Sequence, residues 1–261
     1  MELHRALSGN DGWVRSRPSH VIFDLDGTLA DSSAGILWSF RATLDRIGLP
    51  VEEEMLRHLI GPPLGESFAI LGVEEERIDE VVAIYRDFYA ERGVYESLLY
   101  EGVHTTLSTL SQQGVRLGVA TAKRVDFARQ MLTTLGVADL FDEISGATVD
   151  LRVTSKFDIM TMVMNQWTIA HQLDVWMVGD RRYDMTAARA HGVHAVGVLW
   201  GFGTDEELRS AGAHWLISRP QELLEYESDA GSPVCMLEEI CDACGHVMGS
   251  AHPGSCPGPN A

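Results

Sequence analysis

His20-Val21-Ile22-Phe23-Asp24-Leu25-Asp26-Gly27-Thr28-Leu29-Ala30-Asp31-Ser32 is the stretch that decides the fold. A β-branched and aromatic run, predicted to be a buried strand over 20–24, stops at two aspartates one residue apart. Gly27 then breaks it into a loop. In an open α/β sheet, that end of a strand is where ligands bind. Two carboxylates placed there with little apolar cover point to metal binding and covalent chemistry rather than to packing.

Outward from this strand the pattern alternates. Ile36, Leu37, Phe40, Leu44 and Ile47 recur at helical spacing over 33–47, with Asp31, Ser32 or Ser33 as N-cap candidates. A second helix is expected over 75–91, where Ile78, Val81, Val82, Tyr85, Phe88 and Tyr89 share a face. Leu59-Ile60-Gly61-Pro62-Pro63-Leu64-Gly65 between them is too stiff for a helix interior. Residues 34–100 therefore read as a mostly helical insert, with its tyrosines and Phe88 as core. From 103 a helix leads to Gly114, and Val115–Ala120 is a strand ending at Thr121. A helix carrying Val125, Ala128, Leu132 and Leu135 stops at Gly136. A short strand near 143–146, a helix over 156–170, a strand over 174–180 and a helix over 184–191 ending at Gly192 follow, then strands near 194–199 and 214–217. Glycines just past helix ends suit the left-handed cap. The alternation predicts a doubly wound α/β fold with a mainly parallel sheet.

Length and charge narrow the function. A chain of 261 residues holds one large α/β domain and a smaller one, and 45% apolar residues suffice for a core. The net charge of −18 repels a phosphate backbone and an anionic membrane, so neither nucleic acid nor membrane is an expected partner. No apolar run approaches the roughly 18 residues of a bilayer span, and residues 1–19 lack the apolar centre of a secretory signal. A cytoplasmic protein is expected. A small anionic substrate would need a local positive site, built from a divalent cation and a lysine.

A parallel sheet would bring four groups to one edge: Asp24 with Asp26, Thr121, Lys156 at a helix start, and Asp180 with Asp184. An ionised carboxylate can attack phosphorus to give an acyl phosphate, dividing one hard displacement into two easier ones. Mg²⁺ held by two carboxylates would offset the charge. Asp26 could protonate the leaving oxygen and then activate water. Thr121 offers a hydroxyl and, with Ala122, strand-end N–H groups to phosphoryl oxygens. Lys156 supplies fixed positive charge. Lys123 and Arg181 are either substrate-facing or merely solvated.

This set resembles the phosphatase branch of the haloacid dehalogenase superfamily over roughly residues 20–226. Asp24-Leu25-Asp26-Gly27-Thr28-Leu29 is similar to its first motif, Thr121 to the second, Thr154-Ser155-Lys156 to the third, and Gly179-Asp180-Arg181-Arg182-Tyr183-Asp184 to the fourth. Ala122-Lys123 replaces the commoner Ser-Lys. The resemblance implies Asp24 as nucleophile, Asp26 as acid/base, and Mg²⁺ on Asp24, Asp180 and the Asp26 carbonyl, with Asp184 behind the metal or the lysine. It also implies a core of 1–33 and 101–228 with an α-helical cap over 34–100. Ile60-Gly61-Pro62-Pro63-Leu64 and Gly197-Val198-Leu199-Trp200-Gly201-Phe202-Gly203 resemble the phosphoglycolate phosphatase and 5′-nucleotidase subgroup. The expected substrate is a small phosphorylated metabolite, and the expected assembly a monomer or homodimer. A phosphomutase needs the same aspartate pair. A dehalogenase has no use for Asp26, and carbon–phosphorus hydrolysis needs a cap lysine that 34–100 lacks.

The final segment, 229–261, is rich in Gly, Pro, Ser, Cys and His and holds all four cysteines. It is too short of apolar residues for a core. Cys241, Cys244, His252 and Cys256 could close a tetrahedral Zn²⁺ site, with Cys235 or His246 as substitutes. Metal would then supply its folding energy. Such a tail leaves one rival from another class, a non-catalytic phosphatase-like scaffold that binds a protein partner through it.

Overall fold

The computed structural model describes residues 16–226, except 53–54, 57–58, 61–62, 168 and 170–173. Six strands form one sheet: β1 (His20–Phe23), β4 (Arg116–Arg124), β5 (Glu143–Ala147), β6 (Val175–Gly179), β7 (His194–Val198) and β8 (Trp215–Ile217). Their order is β5-β4-β1-β6-β7-β8, and every pair is parallel. Alternation along β1 divides its side chains between two cores. Val21 and Phe23 face one, shared with Leu117, Val119, Trp176 and Val178. Ile22 faces the other, with Ala120, Met177, Ile159, Val163 and Met185. Burial on both faces explains why these strands read as near-continuous apolar runs.

The helices that cover the sheet are α4 (Val103–Gln112), α5 (Val125–Thr134), α6 (Lys156–Asn165), α7 (Arg182–His191) and α8 (Asp205–Ser210). Gly114, Gly136 and Gly192 beyond three of them have φ of 79°, 72° and 67°, the left-handed conformation expected. β4 continues through Arg124 rather than ending at Thr121, and its pairing with β5 shifts register between Thr121 and Arg124. That irregularity lies at the carboxyl end of β4, on the same edge of the sheet as Asp24, and bulges of this kind re-aim side chains. α6 ends at Asn165, short of the expected 170.

Between β2 (Ala30–Asp31) and β3 (Leu98–Leu99), an antiparallel two-residue ribbon, runs a helical segment. It contains α1 (Ser33–Ile47), α2 (Leu64–Ile70) and α3 (Ile78–Glu91), the last preceded by a 3₁₀ turn over Glu75–Arg77. Its centre is aromatic: Phe40 lies 5.2 Å from Phe68 and 4.9 Å from Tyr85, and Tyr85 stacks on Tyr89 at 6.0 Å. Ser32 is the residue before α1, but its hydroxyl turns to Asp26, and Asp31 accepts the Ser33 N–H at 2.9 Å instead.

α1 packs through Gly35, where a Cβ would stand 2.0 Å from the Gly93 carbonyl oxygen. Alanine would improve helix propensity by about 1 kcal/mol, but the overlap should outweigh it. Gly35→Ala is expected to destabilise the protein by about 1–3 kcal/mol in chemical denaturation. Equal or higher stability would show that the contact relaxes without cost.

Candidate active site

Asp24 follows β1 directly, and its N–H still donates to Val178 O at 2.9 Å, so the ladder fixes its height. Leu25 is fully buried in the core, which turns Asp24 and Asp26 to the opposite side. Gly27, at φ 83°, permits the turn that follows. A Cβ there would meet the Asp180 carboxylate at 2.3 Å, and one at Gly201 would meet the Gly27 carbonyl at 2.3 Å. Two glycines thus let two loops close around Asp180. Thr28 Oγ1 donates to Asp180 Oδ1 at 3.1 Å, and the Phe202 N–H to Oδ2 at 2.8 Å. Trp200 Nε1 donates to Thr28 O at 3.0 Å and ties the loops together.

Lys156 is the first residue of α6, whose N-cap Ser155 accepts the Asp158 N–H at 3.1 Å. Its Nζ stands 2.7 Å from Asp24 Oδ1 and 2.8 Å from Asp184 Oδ1, and donates to Ala120 O at 2.8 Å. Asp184 is fully buried in the first turn of α7, and its Oδ2 accepts the Arg181 N–H at 3.0 Å. One of its oxygens thus faces Lys156 and the other holds the loop. Asp24, Asp180 and Asp184 offer oxygens within 4.8 Å of one another, a set that could hold a cation.

The electrostatics follow from this crowding. Burial pushes the Asp24 pKa up to about 6; Lys156 opposes the shift, while Asp184 and Asp26 add to it. Burial also pushes Asp180 up to about 8, with Asp24 and Asp184 adding repulsion against weaker help from the Phe202 N–H and Thr28. Burial alone would lower Lys156, but Asp184 and Asp24 outweigh it and raise its pKa. Lys156 pairs with two of the three buried carboxylates, Asp24 and Asp184, and Asp180 is left beside them, outside the contacts of Lys156.

Thr121 is buried on β4, one residue past the level of Asp24, and its Oγ1 accepts the Lys123 N–H at 3.2 Å. Ala122 beside it is exposed. Lys123 is not solvated: its Nζ lies 3.0 Å from Asp26 Oδ1 and donates to the Tyr89 hydroxyl at 2.5 Å. Burial would lower its pKa, but Asp26 and Tyr89 raise it. Arg181 is spent on structure, giving Nε to Glu207 at 3.0 Å and Nη1 to Ile60 O at 2.9 Å. Tyr89 is core, as its helical period implied, yet its hydroxyl reaches the site from α3. Spacing along the chain does not reveal a pair 34 residues apart, though the scarcity of lysine could have singled out Lys123. Gly61, Pro62, and Cys235, Cys241, Cys244, His246, His252 and Cys256 lie outside the described residues. Among the described residues no helix is long and apolar enough to cross a membrane.

Comparison with known proteins agrees with this geometry. Residues 21–198 match the sequence pattern of the haloacid dehalogenase-like hydrolases. The chain is 42% identical over 187 residues to tyrosine-protein kinase PtkA of Mycobacterium tuberculosis, covering 71% of this chain but 64% of that protein's length. It is 35% identical over 196 residues to a 5′-nucleotidase of Pseudomonas aeruginosa, covering 74% and 88%. A haloacid dehalogenase-like hydrolase of Streptococcus pneumoniae superposes with a TM-score of 0.74 at 32% identity, over 79% of this chain and 97% of that one. With its parallel sheet and strand-end aspartates, the chain belongs to the haloacid dehalogenase-like hydrolase family.

Proposed function

We propose that this chain is a Mg²⁺-dependent phosphomonoester hydrolase that works through a phosphoryl group carried on Asp24. The observation that carries the reading is the Asp24 carboxylate, pinned by Lys156 at 2.7 Å inside a three-carboxylate cluster at the ligand-binding edge of a parallel sheet. The oxygen-only donor set fits Mg²⁺, held by Asp24, Asp180 and the Asp26 carbonyl. Asp184 stands behind, holding Lys156. Burial, with repulsion between the carboxylates, raises the pKa values of Asp24 and Asp180, and a divalent cation would offset that cost of ionising them. When bound, the ion supplies charge neutralisation for the approaching phosphoryl group.

The residues then divide the work. Thr121 and the N–H groups around Ala122 receive phosphoryl oxygens, and Lys156 orients Asp24 while stabilising charge on the phosphoryl group. Asp24 attacks phosphorus, and Asp26 gives a proton to the leaving oxygen and later takes one from water. The helical segment over 34–100 acts as a cap that closes over a small substrate and excludes water during the attack. Phosphoglycolate and nucleoside monophosphates are the substrate classes to test first, given the subgroup motifs and the 5′-nucleotidase relative. The name of the mycobacterial relatives adds one more acceptor to test, a tyrosine peptide incubated with ATP.

Hydrolysis of p-nitrophenyl phosphate is expected with Mg²⁺ and not with chelator. Absence of metal-dependent turnover on any phosphomonoester would favour the non-catalytic scaffold. A substrate screen over phosphoglycolate, nucleotides and sugar phosphates then assigns the physiological class, and a phosphomutase would transfer the group to a second sugar hydroxyl instead of water.

Metal affinity should depend on pH in a defined direction. A carboxylate raised to about 8 holds a proton below that pH, and Mg²⁺ requires it ionised. Apparent affinity should therefore rise with pH, by up to about tenfold per unit from pH 6 towards 8, while one proton is displaced. The same raised pKa makes the metal-free fold bind more protons than the unfolded chain between about pH 4 and 8, so its stability declines as pH rises through that window. Calorimetric Mg²⁺ titrations at three pH values check this; affinity independent of pH would contradict it.

The tail is a separate part of the proposal: Cys241, Cys244, His252 and Cys256 bind Zn²⁺. The support is that every cysteine of the chain falls within it. About one zinc per chain is expected in the full protein and none after truncation at 228; unchanged content would refute the site.

A further inference from the structure

Of the chain's 20 lysines and arginines, only Lys123 and Lys156 are lysines. Both are buried at the site, and each faces one aspartate of the first loop: Lys156 faces Asp24 and Lys123 faces Asp26. An ammonium is a compact point charge, whereas a guanidinium is a broad planar fork. A crowded pocket that must fix one carboxylate oxygen suits the former.

Lys123 is itself fixed from the helical segment. Its Nζ donates to the Tyr89 hydroxyl at 2.5 Å and lies 4.3 Å from the centre of the Tyr89 ring. Tyr89 has little freedom, being stacked on Tyr85 at 6.0 Å and set edge-on to Phe127 of α5 at 5.4 Å. At the other end, Asp26 receives both the Lys123 ammonium and the Ser32 hydroxyl on Oδ1. That leaves Oδ2 as the oxygen for proton exchange with a substrate.

We propose that Lys123 and Tyr89 are positioning residues for Asp26: Tyr89 seats Lys123, and Lys123 fixes the carboxylate in register with the leaving oxygen. The inference rests on Asp26 being the proton-transfer group of the proposed hydrolysis. In the first step Oδ2–H gives its proton to the bridging oxygen as the bond from that oxygen to phosphorus breaks and the Asp24–phosphorus bond forms. The Asp26 carboxylate left behind sits against the Lys123 ammonium. In the second step it takes a proton from the water that attacks the acyl phosphate, releasing inorganic phosphate and restoring Asp24. Because Tyr89 belongs to α3, the arrangement exists only with the helical segment seated on α5, which couples that segment to proton transfer.

Leaving-group dependence tests this directly. p-Nitrophenolate departs with little need of a proton, whereas an alkoxide needs one. For Lys123→Met, kcat on alkyl phosphates should fall about tenfold or more beyond its fall on p-nitrophenyl phosphate, a share of the roughly 10²–10⁴ that positioned proton transfer contributes. KM should change little, because Thr121 and Lys156 still receive the phosphoryl group. Tyr89→Phe keeps the ring packing and should shift the same ratio in the same direction, by less. The double variant should be no worse than Lys123→Met alone, as expected for residues acting in series. Equal losses on alkyl and aryl esters, or a change confined to KM, would overturn the proposal. Tyr89→Phe decides it alone should Lys123→Met fail to fold. A wild-type protein inactive on every phosphomonoester would instead overturn the hydrolase reading, a result distinguishable from equal losses in the variants.

Discussion

Asp24→Asn is expected to leave the protein folded and to lower kcat on p-nitrophenyl phosphate by about 10⁴-fold or more, the scale seen when a nucleophile is removed. The amide keeps the shape of the side chain but presents no anionic oxygen to phosphorus. Stability should not suffer, because the substitution removes one of three carboxylates crowded within 4.8 Å. In the native protein burial already pushes Asp24 to about 6, with Asp184 and Asp26 adding to the shift. A metal-free melting temperature equal to or above wild type at pH 8, together with lost turnover, is the expected pair of results. Retained turnover would refute the nucleophile. Lost turnover with a collapsed fold would move Asp24 from chemistry to structure.

Lys156→Met should produce the second large effect, this time on stability as well as rate. The lysine joins β4, the first loop and α7 through Ala120 O, Asp24 and Asp184, all on one buried ammonium. Methionine fills much of the volume but strands two carboxylates. Breaking a buried pair by removing one partner costs about 3–5 kcal/mol. The penalty should depend on pH. Without Lys156, Asp24 loses the partner that opposes its upward shift, so it protonates more readily as pH falls. Denaturation without divalent metal should show the full cost at pH 8 and a smaller one at pH 5.5. A cost below about 1 kcal/mol at both pH values would mean that the cluster is neutral in the native protein.

What was legible in the sequence follows from local physics. β1, β6 and β7 are buried on both faces, so their apolar runs announce strands regardless of tertiary detail. α1 begins and ends where expected because the Asp31 carboxylate accepts the Ser33 N–H at its start and Gly48, at φ 71°, closes it. The strand-end aspartates were readable because sheet topology puts such residues at one edge. α2 was not readable: seven residues starting after Pro63, with Ser67 and Phe68 as its buried pair, carry too little periodicity. The β2–β3 ribbon is two residues wide, below what alternation can signal. Lys123 and Arg181 looked alike as basic residues beside motif positions. Only folding separates them, since Lys123 meets Asp26 and Tyr89 while Arg181 meets Glu207 and Ile60. Long-range partners of this kind are set by packing of the helical segment on α5, which no local pattern encodes.

The most direct measurement is a crystal structure grown with Mg²⁺ and beryllofluoride, a mimic of a phosphoryl group on a carboxylate. The expected result is beryllium bonded to an oxygen of Asp24, with fluorines in reach of Thr121 Oγ1 and Lys156 Nζ. Beryllofluoride on another residue, or Asp24 bare under saturating conditions, would contradict the aspartyl chemistry.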